Sequence, residues 1–213
     1  MRQLFILIVA LTAFRINAQP QLYSYKSDPY FGVTIYNNGP RGIPYTDPAG
    51  TTFQFRIFRV RIVNDTIIPI ELTVNFPGDS VALLPKSEKR LRVFLFPERM
   101  SPSKVEEVYN YGVTGLESFL DTVLNNPTTR KVMILPGQDH YLYIGELFSG
   151  EFIGLARSRF FINGQNIDAP FLPVQSIKND TKDKSKLDFI FGVAIDPPDY
   201  YSLIPCGQIV FKK

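Results

Sequence analysis

The sequence predicts a mainly β, antiparallel sandwich with a helical crossover at about residues 101–126. Apolar residues alternate at period two in one segment after another, the mark of half-buried strands. Gly, Pro, Asn and Asp gather between those segments, as tight turns require. Only the stretch from 101 to 126 carries apolar residues at helical spacing.

The clearest strands lie between residues 53 and 76. Phe53, Phe55 and Ile57 alternate with Thr52, Gln54 and Arg56; then Phe58, Val60 and Ile62 are apolar, with Arg59 and Arg61 between them. This change of phase predicts a β-bulge or a strand that passes from one sheet to another. After Asn64-Asp65-Thr66, the residues Ile68, Ile70, Leu72, Val74 and Phe76 share one face. The two runs read as a hairpin. Pro69 lacks an N–H for the ladder, which places its end of the second strand at a sheet edge.

Upstream, Val33 and Ile35 suggest a short strand with a turn at Asn38-Gly39, and the Gly- and Pro-rich residues 39–50 read as a connecting loop. No Gly-Lys-Ser/Thr follows, so this loop is no phosphate cradle. Downstream, Leu91, Val93 and Leu95 mark a strand that ends at Pro97. Ser101-Pro102 then opens a short helix, and Thr114 with Glu117 has the form of a capping box. Leu116, Phe119, Leu120, Val123 and Leu124 make the apolar stripe of a helix that packs on the sheet. Strands follow at residues 131–135, 139–148, 155–162, 187–195 and 208–211. In the second of these, His140, Leu142 and Ile144 share a face opposite Tyr141 and Tyr143. Asn163-Gly164 reads as a two-residue hairpin turn, and the mixed charges of 178–186 as a solvated loop.

Leu84-Pro85, Leu135-Pro136 and Ile204-Pro205 each precede a polar turn and then a strand. This pattern resembles the middle strands of immunoglobulin-like and fibronectin-like bacterial sandwich domains. The resemblance implies an immunoglobulin-like sandwich.

Residues 1–18 read as a secretory signal peptide: an early Arg2, an apolar run at 4–13, and a small Ala18 before Gln19, where cleavage is expected. The run is too short to cross a bilayer, and no other stretch predicts a transmembrane segment in the mature chain. Residues 19–213 then form a single sandwich domain, since no flexible linker divides them. Loss of Arg2 and Arg15 leaves the chain almost neutral, which argues against nucleic acid as a partner. Cys206 is the only cysteine, so no intrachain disulfide forms. A secreted chain without one points to a bacterial periplasm or cell surface.

Chemistry-bearing residues are sparse. His140 is the only histidine, so any Ser-His-Asp or Cys-His arrangement must use it, and its strand position suits structure better. Cys206, in Pro-Cys-Gly, reads as a small buried residue. Asp47, Asp196 and Asp199 lack the regular spacing of calcium ligands. Neither a metal nor a cofactor is expected. Arg59 and Arg61, Arg90 and Arg92, and Arg157 and Arg159 would form a basic stripe if their strands were neighbours, with Glu71 as a cross-strand partner. Asp65-Thr66-Ile67 and Asp79-Ser80-Val81 resemble an O-glycosylation acceptor of secreted bacterial proteins, which makes Thr66 and Ser80 candidate modification sites. Asn64 and Asn179 would be N-glycosylation acceptors in a eukaryotic host. The sequence thus favours a secreted, non-enzymatic protein that binds a protein partner or an envelope component. The alternatives are a carbohydrate-binding module using Tyr and Arg surfaces and, third, a carboxylate-dependent hydrolase.

Overall fold

Among the described residues, twelve strands and one α-helix follow one another along the chain. The computed structural model describes residues 24–26, 30–82, 88–103, 110–123, 126–149, 155–163, 185–196 and 200–213. The strands are β1 (Ser24–Lys26), β2 (Val33–Arg41), β3 (Pro44–Thr46), β4 (Thr52–Asn64), β5 (Ile70–Phe76), β6 (Val81–Ala82) and β7 (Arg90–Leu95). After the helix α1 (Leu116–Val123) come β8 (Thr128–Ile134), β9 (Asp139–Ser149), β10 (Leu155–Ile162), β11 (Lys186–Asp196) and β12 (Tyr200–Phe211). They form two antiparallel sheets. The larger has the order β1-β2-β4-β9-β7-β6, with β3 also paired to β4; the smaller is β10-β11-β12-β5-β8. Residues 1–19, which hold the expected signal peptide and its cleavage site between Ala18 and Gln19, lie outside the described residues, as do Asn179 and Asp199.

The sheets pack face to face around one apolar core. Val33, Ile35, Phe58, Val60, Ile62, Leu142 and Ile144 come from the larger sheet, and Leu72, Val74, Phe160, Phe189, Phe191 and Ile209 from the smaller. A second core covers the opposite face of the larger sheet. There Phe55, Ile57, Phe94, Phe96, Tyr143 and Leu147 are buried beneath Met100, Tyr111, Val113 and the α1 residues Phe119 and Leu120. Gly145 makes room for this layer, because a Cβ on it would lie 2.2 Å from the Phe94 ring.

The second core explains the change of phase in β4. No bulge interrupts its pairing with β9, which runs in continuous register from Phe53↔Ser149 to Val63↔Asp139, and β4 stays in one sheet. Its even-numbered residues face the other sheet throughout, and its odd-numbered residues face the helical layer. The pattern changes because Phe55 and Ile57 lie beneath that layer, while Arg56 occupies the inner face. The register shift of this region belongs to β2, between Asn38 and Arg41, where the sequence suggested a turn.

The predicted hairpin of β4 and β5 does not form. Both strands exist, but β4 pairs with β2, β3 and β9, whereas β5 pairs with β12 and β8. The link between them is a corner that carries the chain from one sheet to the other. Nor is β5 an edge strand: Pro69 stands just outside the ladder, and its carbonyl accepts from Lys212 N at 2.9 Å. β10 pairs with β11, from Leu155↔Asp196 to Ile162↔Phe189, so no two-residue link joins them, and Gly164 of the expected hairpin turn lies outside the described residues. The helix begins at Leu116, after Gly115 in the left-handed region (φ 68°), rather than at Thr114. Residues 98–100 form a single 3-10 turn, and residues 101–103 are not helical. The crossover is real, since α1 lies between β7 of one sheet and β8 of the other.

The last strand is longer than its alternation suggested. Pro205, without an N–H, sits inside it at a bulge, where the register shifts so that Ile190 faces Pro205 and Phe189 faces Gly207. On the far side of Gly207 a Cβ would lie 1.9 Å from the Thr73 carbonyl oxygen. Elsewhere one polar side chain joins the sheets. Asn37 of β2 donates to Phe160 O at 3.0 Å and accepts from Phe160 N at 2.7 Å, so its amide stands in for a neighbouring strand on the edge of β10.

Candidate binding surface

One end of the sandwich is built on Asn64, the last residue of β4, which is completely buried. Its side-chain amide donates to the carbonyls of Ile68 and Ile134, each at 2.9 Å. Its oxygen accepts from Thr66 N at 3.0 Å and Thr66 Oγ1 at 2.6 Å. Its backbone pairs with Gln138 O and Gly137 N. Two sheet-crossing corners, β4 to β5 and β8 to β9, are therefore tied to one residue. A third loop joins them: Asp65 N donates to Gly32 O at 2.8 Å, and the Asp65 carboxylate accepts from Thr34 Oγ1 at 2.8 Å. Gly32 has no alternative, because a Cβ there would be 2.6 Å from Thr66 Cγ2.

Each of these three loops carries an exposed apolar side chain. Ile67 is 94% exposed, and Phe31 and Leu135 are each 46% exposed. Phe31 adopts φ 49°, a conformation that costs a bulky residue about 1–3 kcal/mol and persists only where its surroundings enforce it.

Beside this end, the outer face of the larger sheet carries interleaved tyrosines and arginines. Arg61 lies 5.2 Å from the Tyr36 ring centroid, and Arg59 lies 5.6 Å from that of Tyr141 and 5.5 Å from that of Tyr111. Asp139 anchors Arg61 at 2.5 Å, and the Asn38 amide oxygen accepts from Arg59 Nε at 3.1 Å. Tyr111 is buried at φ 55°, between Arg59 and Arg41, and its hydroxyl donates to Gly39 O. Where β9 meets the chain that follows β7, a cleft of about 400 Å³ opens between Tyr141, Asp139 and His140 on one side and Glu98, Ser101 and Ser103 on the other.

The basic stripe requires neighbouring strands, and that condition is not met. β9 separates β4 from β7, and β10 belongs to the other sheet. Arg59 and Arg61 share the tyrosine face. Arg90 instead reaches Ser80, with Nε 2.5 Å from Oγ, and Arg92 lies opposite Leu147. Glu71 pairs with Lys131 and Lys212 rather than with an arginine. Of the candidate modification sites, Thr66 is half-buried with its hydroxyl 2.7 Å from Ile68 O, and the Ser80 hydroxyl is held by Arg90. Both amide hydrogens of Asn64 are engaged inside the corner, so a glycan on it does not fit the folded protein.

Asp47 uses its carboxylate to accept from Thr51 N at 2.7 Å, closing its own turn. Among the described residues, no group of three or more His, Cys, Asp or Glu side chains is placed to hold a metal ion. Cys206 is buried inside β12, its thiol donating to Phe189 O at 3.3 Å, and burial pushes its pKa far above the ordinary thiol range. His140 is held below its ordinary pKa first by burial and then by the charge of Arg130.

The sequence showed no sign of Glu146. It is completely buried, directly opposite Arg56, and neither carboxylate oxygen has a hydrogen-bond partner among the described residues. Desolvation pushes its pKa up to about 7, against the opposing charge of Arg56. The loop-end residues were also missed as a surface. An apolar Ile67 between polar turn residues is the one local signal that could have found them.

No protein-family model matches the chain, and no curated protein or solved structure matches it either. Among the described residues, no helix is long and apolar enough to cross a membrane.

Proposed function

We propose that this is a secreted, non-enzymatic envelope or cell-surface protein that binds a protein partner through the end of the sandwich built on Asn64. The observation that carries the reading is the set of three exposed apolar side chains, Phe31, Ile67 and Leu135, on three loops locked to one buried residue. Apolar groups held rigid before binding lose little conformational entropy on contact, and water-exposed apolar surface gains most from being covered. Arg61 beside them is of a residue type enriched in protein interfaces. The finer fold reading, an immunoglobulin-like sandwich, goes with this proposal and is supported by two antiparallel sheets around one core.

A non-enzymatic role is supported by the state of the carboxylates. Glu98 is paired with Arg130, and Asp139 with Arg61, so these cleft carboxylates serve as ion-pair partners. The test is affinity capture from the host's own envelope fraction, with wild type and Ile67→Asp side by side and Ile43→Asp, at the opposite end, as control. A partner recovered in stoichiometric amount with wild type and control, and lost with Ile67→Asp, supports the reading. Recovery of the same proteins with all three chains overturns it.

A further inference from the structure

The cleft beside Tyr141 is a separate feature, and its chemistry differs from that of the apolar loop end. Its volume, about 400 Å³, falls in the lower part of the range for small-molecule sites, about 300–1,000 Å³. One wall is aromatic. Tyr141 is 39% exposed and lines the cleft, and Arg59 lies 5.6 Å from its ring centroid. The remaining lining is hydrogen-bonding: the Ser101 and Ser103 hydroxyls, the carboxylates of Glu98 and Asp139, and the His140 imidazole. His140 Nε2 is buried and has no hydrogen-bond partner among the described residues, an arrangement that calls for a ligand or a bound water.

Charge narrows the ligand class. Both carboxylates are already neutralised by arginines, so among the described residues the cleft carries no uncompensated charge to attract an anion or a cation. An aromatic wall facing alternating donors and acceptors suits the apolar C–H face and the hydroxyl rim of a sugar ring. We propose that this cleft binds a neutral saccharide unit of pyranose size, stacked on Tyr141 and hydrogen-bonded to His140 Nε2, Asp139 and Ser101. The site shares no residue with the apolar loop tips, so it stands or falls separately from the proposed protein partner.

The test is NMR titration of the labelled full chain with glucose, galactose, mannose and N-acetylglucosamine, and with neutral tetrasaccharides of each. The expected result is a shift of the His140, Tyr141 and Tyr143 amides with about millimolar Kd for at least one monosaccharide. Tyr141→Ala, on an exposed ring, should weaken that binding about tenfold or more while the remaining spectrum stays native. His140→Gln serves as a second variant if Tyr141→Ala does not fold, and should also weaken binding. Tetrasaccharide binding at least tenfold tighter identifies a glycan chain as the source; equal affinity identifies a free sugar. Absence of shifts at the cleft with every probe overturns the proposal. So does unchanged binding by Tyr141→Ala, or tighter binding of a uronic-acid tetrasaccharide than of any neutral one. Release of new reducing ends would overturn the non-enzymatic reading while leaving the saccharide site in place.

Discussion

Removal of the Asn64 side chain by Asn64→Ala tests whether one residue holds the loop end together. Four hydrogen bonds disappear: two donated to the carbonyls of Ile68 and Ile134, and two accepted from Thr66. A typical intramolecular hydrogen bond contributes about 0.5–1.5 kcal/mol net, and a buried group left without a partner costs about 1–3 kcal/mol. Ile134 O is bonded within the buried interior, whereas the Ile68 and Thr66 groups are part-exposed and can recover water. The expected loss is therefore about 3–5 kcal/mol. Asn64→Asp keeps the shape but turns an acceptor toward two carbonyl oxygens, so it should cost at least as much as Asn64→Ala. Urea unfolding at pH 7, followed by far-UV circular dichroism, gives the free energy from the midpoint at constant m. The melting temperature should fall by about 10 °C for a chain of this size. A loss below about 1 kcal/mol in both variants would refute the reasoning, because the corner would then hold without its central amide.

Three further predictions test other parts of the structure. Glu146 titrates near pH 7 when folded and near 4.5 when unfolded. Its raised folded pKa means that stability is full below pH 4.5 and is lost as pH rises toward 7, by at most about 3 kcal/mol. Urea unfolding of wild type and Glu146→Gln at pH 5 and pH 8 should show wild type losing ground to the variant by about that amount; a difference that does not change with pH would contradict it. Gly207→Ala forces a Cβ against the Thr73 carbonyl and should destabilise by at least about 2 kcal/mol, more than an ordinary strand Gly→Ala change. Cys206 should resist thiol reagents in the native protein and react at the rate of unfolding, measured by mass change against urea concentration; rapid labelling of native protein would mean that the thiol is accessible.

Strand placement was legible where one face meets the core and the other meets water. The alternation of Ile70, Leu72, Val74 and Phe76 with Glu71, Thr73 and Asn75 matches β5, whose first set is buried and whose second is more open. Legibility failed where both faces are buried. In β4 the helical layer covers Phe55 and Ile57, so a continuous strand looked interrupted. It failed again where pairing is decided at a distance, as with β4 and β5, which adjoin in sequence yet lie in different sheets. The candidate site was legible as residue types only. Tyr and Arg were noted, but not that Tyr36, Arg59, Arg61 and Tyr141 meet on adjoining strands while β9 stands between them and the Arg90 and Arg92 of β7.

What the sequence determined by itself is local: the alternation that makes strands, the helical stripe that makes α1, and the lack of a cysteine pair. These follow from steric preference and from the partition of apolar side chains over a few neighbouring residues. The tertiary structure alone decided which strands pair, that Asn64 is a buried hub rather than a surface acceptor, and that Glu146 lies completely buried between the sheets. Each of these depends on groups far apart in sequence, 70 residues for Asn64 and Ile134, or on the desolvation of a side chain by the opposite sheet. No local pattern encodes that energy, because it exists only once the two sheets have closed on each other.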